Sequence, residues 1–318
     1  MGTASLHLDV WTLAWREFWE KVAPHCGDRD CSHTRGVWRR IRSKPRGILL
    51  EGSRYCIDEC LARALGGVLQ RSISRGPRPP AVHRIPLGLL LLSRQQLTEH
   101  QLRAALEAQR DAGCGRIGEW LQTLGFASEQ QITAALARQW SCPVLRSSPL
   151  TLGSRTPQIP VTLLESFAMI PLGFVEATAT LHVAFGEGID YGLLYAIEQI
   201  VGCHTESCMA VPSFVRSSLQ HLSRRRGESE IVFDRVADSA ELSRIICSYC
   251  VRLAASEIRL ATCGPHVWVR LFLRSRPPLD LVLRSPRPRF DPTAGPSGQT
   301  ERTPLKSALP LPMSVYGG

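Results

Sequence analysis

The sequence predicts an α/β (α+β) protein with three parts: a cysteine-containing module, a tandem helical-hairpin repeat and a small α/β sheet domain. Three observations predict this order. Two pairs of cysteines lie within residues 1–71. A segment between Leu87 and Gln139 then repeats itself at an offset of 30 residues. From Val161 to about Arg226, short β-like runs alternate with helical runs, which is typical of a sheet covered by helices.

The first module, residues 1–71, has the cysteine spacing of a metal site. One pair is separated by four residues and the next pair by three. Two pairs of thiols are the usual layout of a closed, structural zinc site. The second pair lies at i and i+4, at the expected start of a helix that runs to about Leu69, a placement similar to a treble-clef zinc knuckle. The open alternative is that these cysteines are small core residues and loop thiols. The candidate ligands are Cys26, Cys31, Cys56 and Cys60, with His25 and His33 as replacements.

Residues 72–83 are predicted to be a linker, because their glycine and prolines cannot continue a helix. In the repeat that follows, Thr98 and Ser128 each precede a glutamine by three positions, the capping-box arrangement of a helix start. Apolar residues then recur at i, i+3 and i+4 along one face. Each helix therefore has one stripe to bury, and its nearest partner is the duplicate copy.

The α/β pattern and the end of the chain complete the organisation. Residues 238–274 are expected to form a helix and two strands, and residues 276–318, with nine prolines, a disordered or docking tail. The predicted strands are Ala168–Leu172, Thr180–Phe185, Ser207–Val211, Glu257–Ala261 and His266–Leu273, and the predicted helices are Gly192–Val201, Pro212–Arg224 and Ser239–Ala255.

Copy two of the repeat carries a family resemblance. The run Arg116-Ile117-Gly118-x-x-Leu121-x-x-x-Gly125 is similar to the repeated motif in the N-terminal (MshEN) domain of type II secretion and type IV pilus assembly ATPases. The resemblance covers residues 84–226, and residues 238–274 are similar to the start of the ATPase body, as a vestige of it. It implies partner proteins from a secretion or pilus machine.

The resemblance does not extend to the catalytic core of these ATPases. A P-loop needs a glycine-rich turn followed by lysine, yet none of the three lysines follows a glycine. The only lysine followed by serine, Lys306, lies in the proline-rich tail. No nucleophile–base pair, carboxylate pair or open metal site stands out either. We therefore predict a non-catalytic adaptor or regulatory protein.

The resemblance also implies an alternative function, since some of these tandem motifs bind cyclic di-GMP. Arginine suits phosphate or guanine, glycine lets the backbone approach the ligand, and leucine covers base faces. Copy one departs from the motif, with Pro86 and Gln95 at the positions of Arg116 and Gly125. The remaining alternative is that the helices only pack together. The candidate ligand residues are Leu87, Gly88, Leu91, Leu102, Leu106, Gln109, Arg116, Ile117, Gly118, Leu121, Gly125, Ile132, Leu136 and Gln139.

Composition and charge limit the kinds of partner and the cellular location that the sequence allows. The net charge of +10 comes from scattered arginines without interleaved aromatic residues, so nucleic acid is not an expected partner. No apolar run approaches the roughly 20 residues that span a bilayer. The first residues do not resemble a signal peptide, and a cytoplasmic location is expected. The 11 cysteines are therefore expected to be thiols or metal ligands rather than disulfides.

Overall fold

The structure is a computed structural model that describes residues 26–31, 47–56, 59–74, 84–145, 156–224 and 230–284. The chain divides into two compact units at residue 286, and all described residues belong to the first. His25, His33, residues 75–83 of the expected linker and residues 285–318 of the expected tail lie outside the described residues. The predicted mixture of helices and sheets is confirmed.

The larger sheet has six strands and joins the two ends of the described chain. The strands are β1 (Ile48–Leu50), β2 (Ser53–Tyr55), β6 (Glu230–Phe233), β7 (Ala255–Cys263), β8 (His266–Leu273) and β9 (Leu279–Arg284). Their order in the sheet is β2-β1-β7-β8-β9-β6, in which β1–β7 and β9–β6 pair in parallel and the other neighbours are antiparallel. The register places Leu49 opposite Glu257 in the β1–β7 pair.

Both faces of this sheet are covered. Along β8, Val267 and Val269 belong to the core beneath helices α1 (Glu59–Ser74) and α9 (Ser239–Arg252), whereas Trp268 belongs to the core on the opposite face. Successive strand residues point to opposite faces, so a strand buried on both sides must be apolar at nearly every position. We call the described residues 26–31, 47–56 and 59–74 the cysteine segment. This segment shares a sheet and a core with residues 230–284, an arrangement that the sequence analysis did not predict.

Two sequence-based expectations need correction at the edges of this layer. The tail was expected to begin at residue 276, but β9 occupies Leu279–Arg284 inside the sheet, with Leu281, Val282 and Leu283 fully buried. The high proline content of the last 43 residues concealed this short apolar run. In addition, helix α1 begins at Glu59, so Cys56 precedes the helix and only Cys60 lies in its first turn.

The smaller sheet and its helices are built from α6 (Val161–Ser166), β3 (Met169–Val175), β4 (Thr180–Phe185), α7 (Tyr191–Val201), β5 (His204–Met209) and α8 (Pro212–Arg224). The three strands have the order β3-β4-β5, with β3–β4 antiparallel and β4–β5 parallel. Helices α6 and α7 contribute to the core on one face of the sheet, and α8 packs on the other.

The repeated segment forms four helices, a short and a longer one in each copy. They are α2 (Leu87–Ser93) and α3 (Glu99–Ala112) in copy one, and α4 (Ile117–Thr123) and α5 (Glu129–Gln139) in copy two. Both predicted capping boxes are confirmed. The Thr98 and Ser128 side chains accept from the amides of Gln101 and Gln131, and the Thr98 and Ser128 amides donate to the side-chain oxygens of the same glutamines. None of the described helices is long and apolar enough to cross a membrane.

Candidate functional site

The two copies of the repeat close on each other through a pair of equivalent hydrogen bonds. Gln109 Nε2 at the end of α3 donates to the carbonyl of Gly115, just before α4, at 2.8 Å. Gln139 Nε2 at the end of α5 donates to the carbonyl of Ile85, just before α2, at 2.7 Å. The donors and the acceptors are each 30 residues apart, so the end of each copy binds the start of the other.

The helices of the two copies also pack on each other. Helix α3 packs on α4 and helix α5 packs on α2, so each long helix contacts the short helix of the other copy. A Cβ at Gly88 would come 2.7 Å from the Leu102 side chain, and one at Gly118 would come 3.4 Å from that of Ile132. Gly88 and Leu102 both belong to copy one, whereas Gly118 and Ile132 belong to copy two. Glycine at these equivalent positions therefore permits close approach of the short and the long helix within each copy.

The side chains of the candidate ligand residues fall into three groups by exposure. Leu87, Leu91, Leu121 and Ile132 are at most 8% exposed and form the core of the helical pair, so they support the helices rather than face solvent. Leu106 is 42% exposed and Arg116 is also exposed. The remaining side chains are half-buried: Leu102, Gln109, Ile117, Leu136 and Gln139. Their assignment to a ligand site stays a prediction.

The arginines near the two starts already have partners. Arg116 pairs with Glu187 at 2.8 Å, where both side chains are largely exposed. Arg84 lies over the Trp140 ring, with its guanidinium carbon 3.2 Å from the ring centroid. Because Arg84 and Arg116 belong to different copies but precede the paired helices α2 and α4, the site has one cation near each start.

The turn after each short helix keeps the same backbone in both copies despite the change of residue. Gly125 has φ +71° and the equivalent Gln95 has φ +58°. The left-handed region is costly for a residue with a side chain and nearly free for glycine. Copy one therefore lacks the glycine of the motif but retains the backbone that the glycine favours.

The candidate metal ligands come together in the cysteine segment. Each of Cys26, Cys31 and Cys56 offers a sulfur that lies within 4.8 Å of the other two. The sulfurs of Cys31 and Cys56 are 3.7 Å apart, and the Cys56 amide donates to the Cys26 sulfur at 3.5 Å. The fourth cysteine, Cys60, is buried in the first turn of α1 and is not one of the three whose sulfurs lie within 4.8 Å of one another.

Burial raises the pKa of two of these thiols, those of Cys56 and Cys60. Burial, followed by hydrogen bonds and charge interactions with Cys31 and Cys26, raises the pKa of the Cys56 thiol to about 12. Burial is also the largest cause of the raised pKa of Cys60, followed by its hydrogen bond with Asp28. Neighbouring thiolates repel each other, so several of them can ionise together only beside a compensating positive charge.

A cleft of about 890 Å³ is lined by the β1–β2 turn, strand β7, helix α7 and, beside the helical pair, Arg84 and Trp140. The turn between β1 and β2 forms one wall, and Trp140, Tyr191 and Tyr195 form another. Trp140 and Tyr191 pack with ring centroids 5.9 Å apart. This cleft was not predicted, because its lining residues are spread from Leu49 to Thr262.

Sequence reasoning also missed two residues that contact the helical pair. Glu187, the partner of Arg116, lies in the loop before α7, and no local pattern links it to the repeat. Ser213, at the start of α8, donates to the Glu129 carboxylate from its amide at 2.7 Å and from its hydroxyl at 2.6 Å. The one available signal was Glu129 itself, an acidic residue in the first turn of α5.

Comparison with known proteins supports a relation to pilus and secretion ATPases. The chain is 26% identical to the type IV pilus assembly ATPase PilB of Thermus thermophilus over 121 residues, which is 38% of this chain and 14% of PilB. The chain thus spans only a small part of the length of this curated relative. No protein-family model matches it.

Two solved structures are also similar. MshE, solved with cyclic di-GMP, is 28% identical, with 43% of this chain and 99% of that chain covered and a TM-score of 0.38. The N-terminal domain of XpsE is 19% identical, with 42% and 91% covered and a TM-score of 0.33. The sequence match to PilB confirms the resemblance to these ATPases.

Proposed function

We propose that this chain is a non-catalytic adaptor or regulator that docks onto proteins of a type II secretion or type IV pilus machine. The observation that carries the proposal is the mutual closure of the two helical copies, in the segment whose motif resembles the front end of the motor proteins. The closed pair has its own hydrophobic core. It can act by binding alone, because its residues include no nucleophile paired with a base.

The helical pair also exposes four large apolar side chains, which we together call the apolar surface: Ile85, Leu89, Leu106 and Leu124. These side chains are 58%, 53%, 42% and 39% exposed. Exposed leucine and isoleucine side chains favour contact with another protein, since each loses apolar surface to water when a partner covers it. Docking through this surface would leave the cysteine segment and the larger sheet free for a second role.

Binding to the cytoplasmic domain of an assembly-platform protein from the same genome tests the docking proposal. We expect the full chain to bind in biolayer interferometry, and Leu89→Ser or Leu106→Ser to weaken binding about tenfold because an apolar contact is lost. Val251→Ser is the matched control, because Val251 is 46% exposed on α9, away from the apolar surface. Absence of binding to every assembly-platform protein would refute the proposal.

The second candidate function is a cyclic di-GMP receptor. It is favoured by the exposed Arg116 at the start of α4 and by the retained left-handed turn at Gln95, which keeps the backbone of copy one similar to that of copy two. Arg116 would provide the charge for a phosphate or a guanine edge. Glu187 would then compete with the ligand for this guanidinium.

Isothermal titration calorimetry with cyclic di-GMP tests this second candidate. We expect Arg116→Ala to weaken binding at least about tenfold, since it removes a charge-assisted contact. Glu187→Ala should tighten binding by up to about fivefold, because an exposed ion pair worth up to about 1 kcal/mol no longer competes. Arg103→Ala, an exposed arginine on α3, is the control. Equal affinities of the Arg116 and Arg103 variants, or no binding heat, would argue against a receptor.

A further inference from the structure

The sulfur positions in the cysteine segment match the geometry of a tetrahedral metal site. A zinc ion with four thiolates at about 2.3 Å places neighbouring sulfurs about 3.8 Å apart. The sulfurs of Cys31 and Cys56 are 3.7 Å apart, and those of Cys26, Cys31 and Cys56 all lie within 4.8 Å of one another. Two separate stretches of backbone, residues 26–31 before β1 and the end of the hairpin after β2, therefore bring their three thiols together.

A fourth thiol, that of Cys60, lies in the first turn of α1 and is only 6% exposed. Arg63, three residues further along α1, pairs with Asp28 at 2.6 Å, which places the start of this helix against the stretch that carries Cys26 and Cys31. Four sulfurs exceed what one disulfide uses, and 3.7 Å is far beyond the S–S bond of about 2.05 Å. A set of four thiols is the ligand set of structural zinc or of an iron–sulfur centre.

The surroundings supply the second shell that such a site needs. The Cys56 amide donates to the Cys26 sulfur at 3.5 Å, which fixes the orientation of that sulfur. The ion pair of Arg63 with Asp28 brings no net charge to the cluster, because each partner neutralises the other. The amide donor to Cys26 offsets part of the negative charge that four thiolates would carry.

We propose that Cys26, Cys31, Cys56 and Cys60 bind one structural zinc ion. The ion joins the loop at residues 26–31 to the end of the β1–β2 hairpin and to the start of α1. Because β1 pairs with β7 and the β1–β2 turn forms a wall of the cleft, the zinc fixes the edge of the larger sheet and the shape of that wall. All four positions are filled by protein, so the site is closed to substrates.

The metal content of the full chain, purified without added metal or chelator, tests this proposal. We expect inductively coupled plasma mass spectrometry to find about one zinc per chain, falling below about a tenth in Cys31→Ser and Cys56→Ser. Cys114→Ser is the matched control, since Cys114 is an exposed thiol outside the cluster, and it should retain the zinc. Chelation of the native chain should lower the melting temperature by more than about 5 °C.

A second measurement keeps the proposal testable if the serine variants do not fold. The wild-type chain, stripped of metal and given Co²⁺, should show the thiolate charge-transfer absorption and the visible bands of a tetrahedral site. Iron in place of zinc would overturn the identity of the metal. A mass 2 Da below that of the reduced chain, which indicates a disulfide, would overturn the site, as would equal zinc content in the Cys31 and Cys114 variants.

Discussion

Asp280→Ala is expected to lower the free energy of unfolding by about 3–5 kcal/mol, because it leaves a buried guanidinium without its counter-charge. Asp280 and Arg270 are 4% and 7% exposed. The Asp280 carboxylate accepts hydrogen bonds from Arg270 Nε and Nη2 at 2.8 Å each, and from Trp268 Nε1 at 2.8 Å. Arg270 also donates to the carbonyl of Gln158, so the pair fastens the sheet to the segment that leads into α6.

Urea unfolding of the variants separates the charge from the packing. Glu51→Ala is the control, since its pair with Arg71 is exposed and should be worth less than about 1 kcal/mol. The double change Arg270→Met with Asp280→Leu should recover much of the loss, because no charge stays buried. Recovery should be incomplete, since the Trp268 indole and the Gln158 carbonyl lose their partners. An Asp280→Ala cost no larger than that of Glu51→Ala would contradict this account.

Leu91→Ala and Leu121→Ala are each expected to destabilise the helical pair by about 3 kcal/mol, through lost burial and a residual cavity. These leucines are fully buried, occupy equivalent positions in the two copies and share one core. If the copies support each other, either truncation should open both. Hydrogen exchange should then rise across 84–139 in both variants, while β7 and β8 stay protected.

The exposed Leu124→Ala is the matched control and should change stability by less than about 0.5 kcal/mol. Exchange that rises only in the copy carrying the truncation would show that the two copies are independent. Such a result would also weaken the docking proposal, which needs the closed pair to act as one body.

Local patterns were enough to predict much of the middle of the chain. Strand Thr180–Phe185, helix Pro212–Arg224 and strand His266–Leu273 have the predicted bounds. Each has a clear period of two or 3.6, or an apolar run between turn residues. Strand β6 was missed, because its four residues follow a charged stretch and lack an alternating pattern.

Long-range pairing could not be predicted from one sequence. Strand β1 has three residues and pairs with a strand that begins about 200 positions later, and no local signal fixes such a parallel register. The same limit applies to the site. The equivalence of Gln109 and Gln139 was visible in the repeat, but their carbonyl partners, and the pairing of Arg116 with Glu187, depend on how the two copies meet.

The hydrogen bonds of Gln109 and Gln139 determine how many repeat units this arrangement can hold. In a solenoid, each unit stacks on the next, both ends stay open, and special terminal units must cap them. Here the last helix of the second unit turns back to the beginning of the first, through Gln139 and the carbonyl of Ile85. The array is therefore self-capping and complete at two units, and a third unit would find no free end to join.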